Sequence, residues 1–268
     1  KLVKLLKKQP GYWDLPELPE IGSPLSQSGL IAKTQREFSE KFGAKGCFFG
    51  VNGASGLIQS AVIAMANPGE TILMPRNVHI SVIKICTMQN IQPIFFDLDF
   101  SLENGHYKPI TKNWLENVFK KINFNEKKIV GVILVSPSYQ GYTGDLGPLI
   151  DLCHQKNLPV LVDEAHGSYF LFCEKLNLPK SALISNADLV VHSLHKSLNG
   201  LTQTAVLWYK GNLVNEQNLI KSINLLQTTS PSSLLLSSCE ESIKDWLNKK
   251  SLSKYQKRIL EAKSIYKK

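Results

Sequence analysis

Between Ser28 and Gly43 the side chains Leu30, Thr34, Phe38 and Phe42 recur at every fourth position, lining one face of a helix that Gly43 is suited to stop. A short apolar run from Cys47 to Val51 gives way at Asn52-Gly53 to a second helical pattern. That helix carries Leu57, Ile58, Ala61, Val62 and Met65 on one face and ends at Pro68-Gly69. The alternation continues with a strand over Thr71 to Met74, a helix over His79 to Gln89 and a strand over Pro93 to Leu98. A helix then opens at Thr111 and carries Trp114, Leu115, Val118 and Phe119. Ile129 to Ser136, Val160 to Asp163 and Leu189 to His192 are rich in Val, Ile and Leu with little polar alternation, as strands covered on both faces must be. Ala205 to Tyr209 adds a strand, and helices over Val214 to Gln227 and Ser232 to Asn248 complete the pattern.

Strands alternating with helices imply right-handed crossovers, so the expected fold class is α/β: a mainly parallel seven-stranded sheet with helices on both faces. In such sheets ligands sit beyond the carboxyl ends of the strands. The expected organisation is an extended arm over residues 1–27, where Pro10, Pro16, Pro19 and Pro24 fall, then a large domain over residues 28–245. Residues 246–268 read as a basic helical tail leading toward a further domain. The start without Met and the stop inside that tail read as those of a fragment.

Composition adds constraints rather than a function. Apolar residues make up 43% and charged residues 20%, values of a folded globular protein. No apolar run approaches the ~20 residues that cross a bilayer, and no secretory stretch follows the basic start Lys1 to Lys8. A cytoplasmic location without membrane contact is the expectation. Cys47, Cys86, Cys153, Cys173 and Cys239 are scattered, with no Cys-x-x-Cys spacing, and read as reduced core thiols; no metal site is expected. Much of the formal charge of +9 sits between Lys244 and Lys268, in Lys249, Lys250, Lys254, Lys257 and Arg258. It reads as a solvated helix face. No interleaved basic and aromatic platform supports a nucleic-acid partner.

Four polar constellations fall at or near strand ends, where a parallel sheet gathers them at one edge. Val51-Asn52-Gly53-Ala54-Ser55-Gly56 is a small-residue turn into a helix whose free N–H groups suit a phosphate, although a plain tight turn has the same spelling. It is not a P-loop, because Leu57 stands where a Lys is required. Arg76 to His79 follows the second strand. Asp163-Glu164-Ala165-His166 also spells a helicase box, but that reading needs a Lys-bearing phosphate loop, and no Gly-x-x-x-x-Gly-Lys-[Ser/Thr] run occurs. In Val191-His192-Ser193-Leu194-His195-Lys196 a lysine follows a buried strand. In a desolvated pocket its amine would become a usable nucleophile toward an aldehyde, whereas on an open loop it would be only a solvated cation.

The run Ser193-Leu194-His195-Lys196, two residues, Asn199-Gly200, one residue, Thr202-Gln203-Thr204-Ala205 resembles the cofactor-attachment signature of the ornithine/lysine/arginine decarboxylases, fold-type I pyridoxal phosphate enzymes. The resemblance extends through Val51 to Gly53, Arg76 to His79, Pro137 to Gly141, Asp163 to His166 and Thr228 to Ser232, covering most of residues 12 to 240 and beginning at about Tyr12 to Glu20. It implies that Lys196 holds pyridoxal 5'-phosphate as a Schiff base, that Asp163 pairs with the pyridine nitrogen, and that His79 stacks on one ring face with Ala165 against the other. Ala54, Ser55 and Gly56 match the phosphate loop, to which Ser193 and His195 add donors. His166 stands where relatives place His or Trp; as a lone residue it reads equally as a packed histidine. The implied catalytic set is Lys196, His79 and Asp163. The implied reaction is decarboxylation of arginine, lysine or ornithine to agmatine or a diamine, in a homodimer or larger assembly with Thr228 to Ser232 near the shared boundary. The family's His-x-Pro-Gly-His segment does not occur in this chain. The same Asp-plus-Lys arrangement also serves aminotransfer and side-chain lysis, and a non-catalytic cofactor-binding subunit is a further alternative.

Overall fold

The computed structural model describes residues 7, 14–16, 18–103, 105–124 and 127–266. Lys1 to Lys8 (Lys7 apart), Pro10 and Tyr12 of the expected arm, and Lys268 of the tail, lie outside the described residues. Seven strands form one sheet: β1 Gly46–Gly50, β2 Thr71–Pro75, β3 Gln92–Phe96, β6 Ile129–Val135, β7 Val160–Asp163, β8 Leu189–Ser193 and β9 Ala205–Tyr209. A small antiparallel hairpin, β4 Phe100–Ser101 with β5 His106–Tyr107, stands apart. The lateral order is β1-β9-β8-β7-β6-β2-β3. All neighbours pair in parallel except β9, which runs against β1 on one side and β8 on the other. The expected α/β class is therefore observed.

The carboxyl ends of β1, β2, β6, β7 and β8 consequently share one edge, and β9 begins there. The register fixes the alignment, with Gly50 opposite Ala205, Ala205 opposite Ser193, Val191 opposite Asp163, and Asp163 opposite Val135. Alternate side chains feed two cores. Even-numbered Val160, Val162, Val190, Val206 and Trp208 face a cluster that includes Phe38 and Phe49. Odd-numbered Leu161, Leu189, Val191 and Leu207 face another with Leu57, Ile58 and Ile85. A strand whose every residue is buried needs apolar side chains at both parities, which is why these runs lack alternation.

Helix α1 (Leu30–Phe42) ends at Gly43 in the left-handed conformation, φ 65°. It covers the outer edge of β1, where Gln35 Oε1 accepts the Phe49 N–H (2.8 Å) while its Nε2 donates to Pro24 O (2.9 Å). The segment before it turns at Leu18–Ile21 and is tied to the helix start by Leu30 N to Glu20 O, 2.9 Å. α2 (Gly53–Met65) and α3 (Ile80–Met88) follow β1 and β2, and α4 (Lys112–Lys120) precedes β6. α5 (Gly147–His154) leads into β7, followed by short turns at Ser168–Phe172 and α6 (Cys173–Leu176); α7 (Leu194–Ser197) follows β8. α8 (Glu216–Leu226), α9 (Ser233–Leu247) and α10 (Lys249–Tyr266) come after the sheet. Among the described residues no helix is long and apolar enough to cross a membrane.

Candidate active site

Five loops meet at the carboxyl edge. The turn after β1 opens α2 with Gly53 at φ 75°, a conformation that favours glycine, and with open space where a Cβ would stand. Asn52 makes no side-chain cap, its Nδ2 being donated to Leu226 O (3.1 Å), so amide groups of the first turn remain available to an anion. Ala54 and Gly56 are buried and Ser55 is half-buried. Gly56 packs under Gln227, whose Nε2 would stand 3.1 Å from a Cβ. The same turn is fastened to the loop after β8, because Gly53 N donates to Gln203 O (2.9 Å), with Gln203 in the left-handed region at φ 76°.

Asp163 ends β7 and is 7% exposed. Its Oδ1 accepts the Ala165 N–H (3.1 Å), and among the described residues Oδ2 accepts no hydrogen bond. Burial pushes this carboxyl above the usual carboxylate range, against the opposing pull of the Ala165 N–H and of the nearby His79 and Lys196. His79 and Lys196 thus lie within electrostatic reach of Asp163. His79 caps α3: its Nδ1 accepts from Ser81 N (3.2 Å) and meets Ser81 Oγ (2.8 Å), which fixes the ring orientation, and among the described residues Nε2 makes no hydrogen bond. Ala165 is buried.

Lys196 Nζ lies 3.1 Å from His166 Nε2. Burial, then the charges of Lys196, His195 and His79, push the His166 imidazole down, as suits an acceptor of the lysine N–H. Tyr139, from the loop after β6, meets His166 edge to face with centroids 5.5 Å apart. His195, half-buried on α7, is pushed down by burial and by Lys196. Ser193 is fully buried, and its Oγ has no hydrogen-bond partner among the described residues. Among the described residues Lys196 is exposed, with its amine beside the His166 ring.

The Gly53 to Gly56 turn, His79, Asp163, His166, Ser193 and Lys196 therefore lie at the carboxyl edge of the sheet, in strand ends and the loops that follow them. Lys196, His166, His79 and Asp163 interact directly or through their charges, and Ser193 shares the odd-numbered face of Asp163. These groups fit pyridoxal phosphate on grounds internal to the chain: an orphaned buried hydroxyl and an uncapped helix start for the phosphate, a buried carboxylate with a free oxygen for a ring cation, and an amine for the aldehyde. Not foreseen were Glu164, His192 and Trp208, which bond to one another beneath this edge. A signal was present, since an ionisable pair spelled inside two all-buried strand ends must find internal partners. Asn199 was seen only as part of a signature; its Nδ2 donates to Tyr255 OH of α10 (2.6 Å).

Among curated proteins, the arginine decarboxylase of Bacillus cereus is 36% identical over 212 residues, covering 79% of this chain and 45% of its own length. That of Bacillus subtilis is 35% identical over 227 residues, covering 85% and 45%. The chain thus spans under half the length of these relatives. Among solved structures, lysine decarboxylase A from Pseudomonas aeruginosa superposes with a TM-score of 0.71 at 19% identity, over 85% of this chain and 33% of that one. The constitutive lysine decarboxylase of E. coli gives 0.69 at 22%, over 83% and 32%; at such identities the likeness speaks for the fold. The model of the Orn/Lys/Arg decarboxylase major domain matches residues 13–268, and the chain belongs to that family.

Proposed function

We propose that this chain is the cofactor-binding major domain of a pyridoxal phosphate-dependent decarboxylase acting on arginine, lysine or ornithine, releasing CO2 with agmatine or a diamine. The observation that carries the reading is the convergence of Lys196, Asp163, His79 and His166 on the edge that also presents the uncapped Gly53 turn. When bound, pyridoxal phosphate supplies an aldehyde for amines and a ring that takes up the electron pair freed as the bond to the substrate carboxylate breaks. Lys196 provides the amine that holds it, and His166 Nε2 orients that amine by accepting one of its protons. Asp163 Oδ2 holds the ring-nitrogen proton by opposite charge. His79, its Nδ1 engaged by Ser81, and Ala165 confine the ring plane. The amides of Ala54, Ser55 and Gly56, the Ser193 hydroxyl and His195 bind the phosphate.

We assign the working enzyme to a homodimer or larger assembly, with Thr228 to Ser232 near the boundary, as the family resemblance implies. Five buried free thiols support a reducing compartment, the cytoplasm. The test is incubation of the full-length protein and cofactor with each basic amino acid. CO2 release with the matching amine by mass spectrometry is expected, and borohydride should fix the cofactor on Lys196. A keto acid product argues for aminotransfer instead, and no adduct on Lys196 defeats the proposal. Sedimentation showing only monomer for the intact protein argues against the assembly.

A further inference from the structure

Consecutive residues at a strand end point to opposite faces of a sheet. Asp163 lies on the odd-numbered face, toward Lys196 and His79. Glu164, His192 and Trp208 belong to the even-numbered face, and all three are fully buried. Their hydrogen bonds fix where the imidazole proton sits. An indole N–H can only donate, so His192 Nδ1, 2.9 Å from Trp208 Nε1, is an acceptor and carries no proton. The single proton of the imidazole then sits on Nε2, 2.7 Å from Glu164 Oε2. Ser181 Oγ accepts the Leu183 N–H (3.2 Å), so its own proton goes to Glu164 Oε2 (2.5 Å), and Ala182 N donates to Oε1 (2.9 Å). Glu164 is met by three donors, two on Oε2 and one on Oε1.

We propose that Trp208 and His192 are positioning residues that lock Glu164 as a carboxylate beneath the sheet edge, with His192 held in its neutral Nε2–H form, so that no cation forms under Asp163. A second proton on His192 would set two donors head to head in a site closed to water, which is unfavourable wherever the indole cannot turn away. The charged and titratable groups around His192 are Glu164 on its own face and Asp163 across the sheet, with Lys196 and His79 beyond Asp163 and Tyr169 beside Glu164. A cation at His192 would draw on the charge of Asp163 from below; with the lock in place that charge is left for the partner above. The Asp163 clause rests on the proposed role of that residue, whereas the proton arrangement does not.

Neutron diffraction from deuterium-exchanged crystals of the full-length protein tests the lock without reference to activity. A deuteron on His192 Nε2, with none on Nδ1 or Glu164, is expected; one on Nδ1 or on the carboxylate overturns it. Trp208→Phe tests the consequence by removing the donor and freeing Nδ1. In the holoenzyme kcat should gain a new acid-side loss of about tenfold, the equivalent of one pKa unit, with KM nearly unchanged. A purely structural role predicts lower stability with the wild-type pH profile, and that result, in a folded variant, sinks the positioning role. If wild-type enzyme releases no CO2, the proposed function fails while the deuteron positions still decide the lock.

Discussion

Asp163→Asn should make the cofactor-free protein more stable and the enzyme inert. The buried carboxyl is held above its ordinary range mainly because its charged form loses water, an effect that the Ala165 N–H and neighbouring cations only partly offset. For an acid raised on folding, the native state favours the protonated form. Its contribution is therefore fully favourable below the unfolded value near 4 and is lost as pH rises through the higher native value. Each unit of elevation costs about 1.4 kcal/mol once the group is ionised. Asparagine has the same shape, and its Oδ1 can still accept the Ala165 N–H, so removal of the charge should return about 1 kcal/mol at neutral pH, or roughly 2–4 °C in Tm for a domain of this size. Thermal melts of cofactor-free wild type and variant, from about pH 4.5 to about pH 8, should show the gap widening with pH and then levelling. Adding pyridoxal phosphate should reverse the order, because only wild type offers a carboxylate to the ring cation. A variant less stable at pH 8, or a gap independent of pH, would refute the claim that desolvation dominates at this carboxyl.

Ser193→Ala removes a buried hydroxyl that has no partner among the described residues, so the cofactor-free stability should stay within about 0.5 kcal/mol by denaturant titration. Cofactor affinity should fall by about tenfold or more, as expected for a lost hydrogen bond to a charged group. Gln35→Ala strands the Phe49 N–H at the sheet edge and should cost about 1–3 kcal/mol, read as a lower midpoint in urea. Gly211→Ala would drive a Cβ into Asp188 Oδ1, a carboxylate already fixed by His154 Nε2 and Val160 N at 2.8 Å each, and should cost about 3 kcal/mol or more by the same titration.

The strands were legible because residues buried on both faces cannot tolerate polar alternation, and the helices because Leu30, Thr34, Phe38 and Phe42 keep one face. Boundaries moved by one or two residues; the strand read over Pro93 to Leu98 runs from Gln92 to Phe96. Helix α5 went unread although Leu149, Ile150 and Cys153 mark a buried face and Pro148 suits its first turn. Eight residues are too few for the period to stand out. The hairpin at Phe100 and Tyr107 has strands of two residues and leaves no pattern. Apolar runs do not encode direction, so the antiparallel course of β9 was unread as well. A hint existed, since the link from Ser193 to Ala205 is short for a crossover to a parallel strand. Within the site, the motifs located the loops. They did not locate the partners that a second parity of the same strands brings beneath them.

Helices outside the sheet order the site as well. The loop that carries Lys196 is tied down along its length: Asn199 donates to Tyr255 OH, which itself bonds Asp245 Oδ2 (2.5 Å), Leu201 N donates to Ser238 Oγ (2.9 Å), and Gln203 O receives the Gly53 N–H (2.9 Å). These ties come from α9, α10 and the start of α2, three elements distant in sequence. Each is a hydrogen bond worth about 1 kcal/mol on its own. Together they restrict a loop that would otherwise lose its geometry to conformational entropy of about 1–2 kcal/mol per residue. The amine itself stays exposed, free to meet an aldehyde. Rigid support under an open reactive group is the arrangement that positioning requires, since misplacement of the reacting atom by about 1 Å is enough to cost a hundredfold in rate.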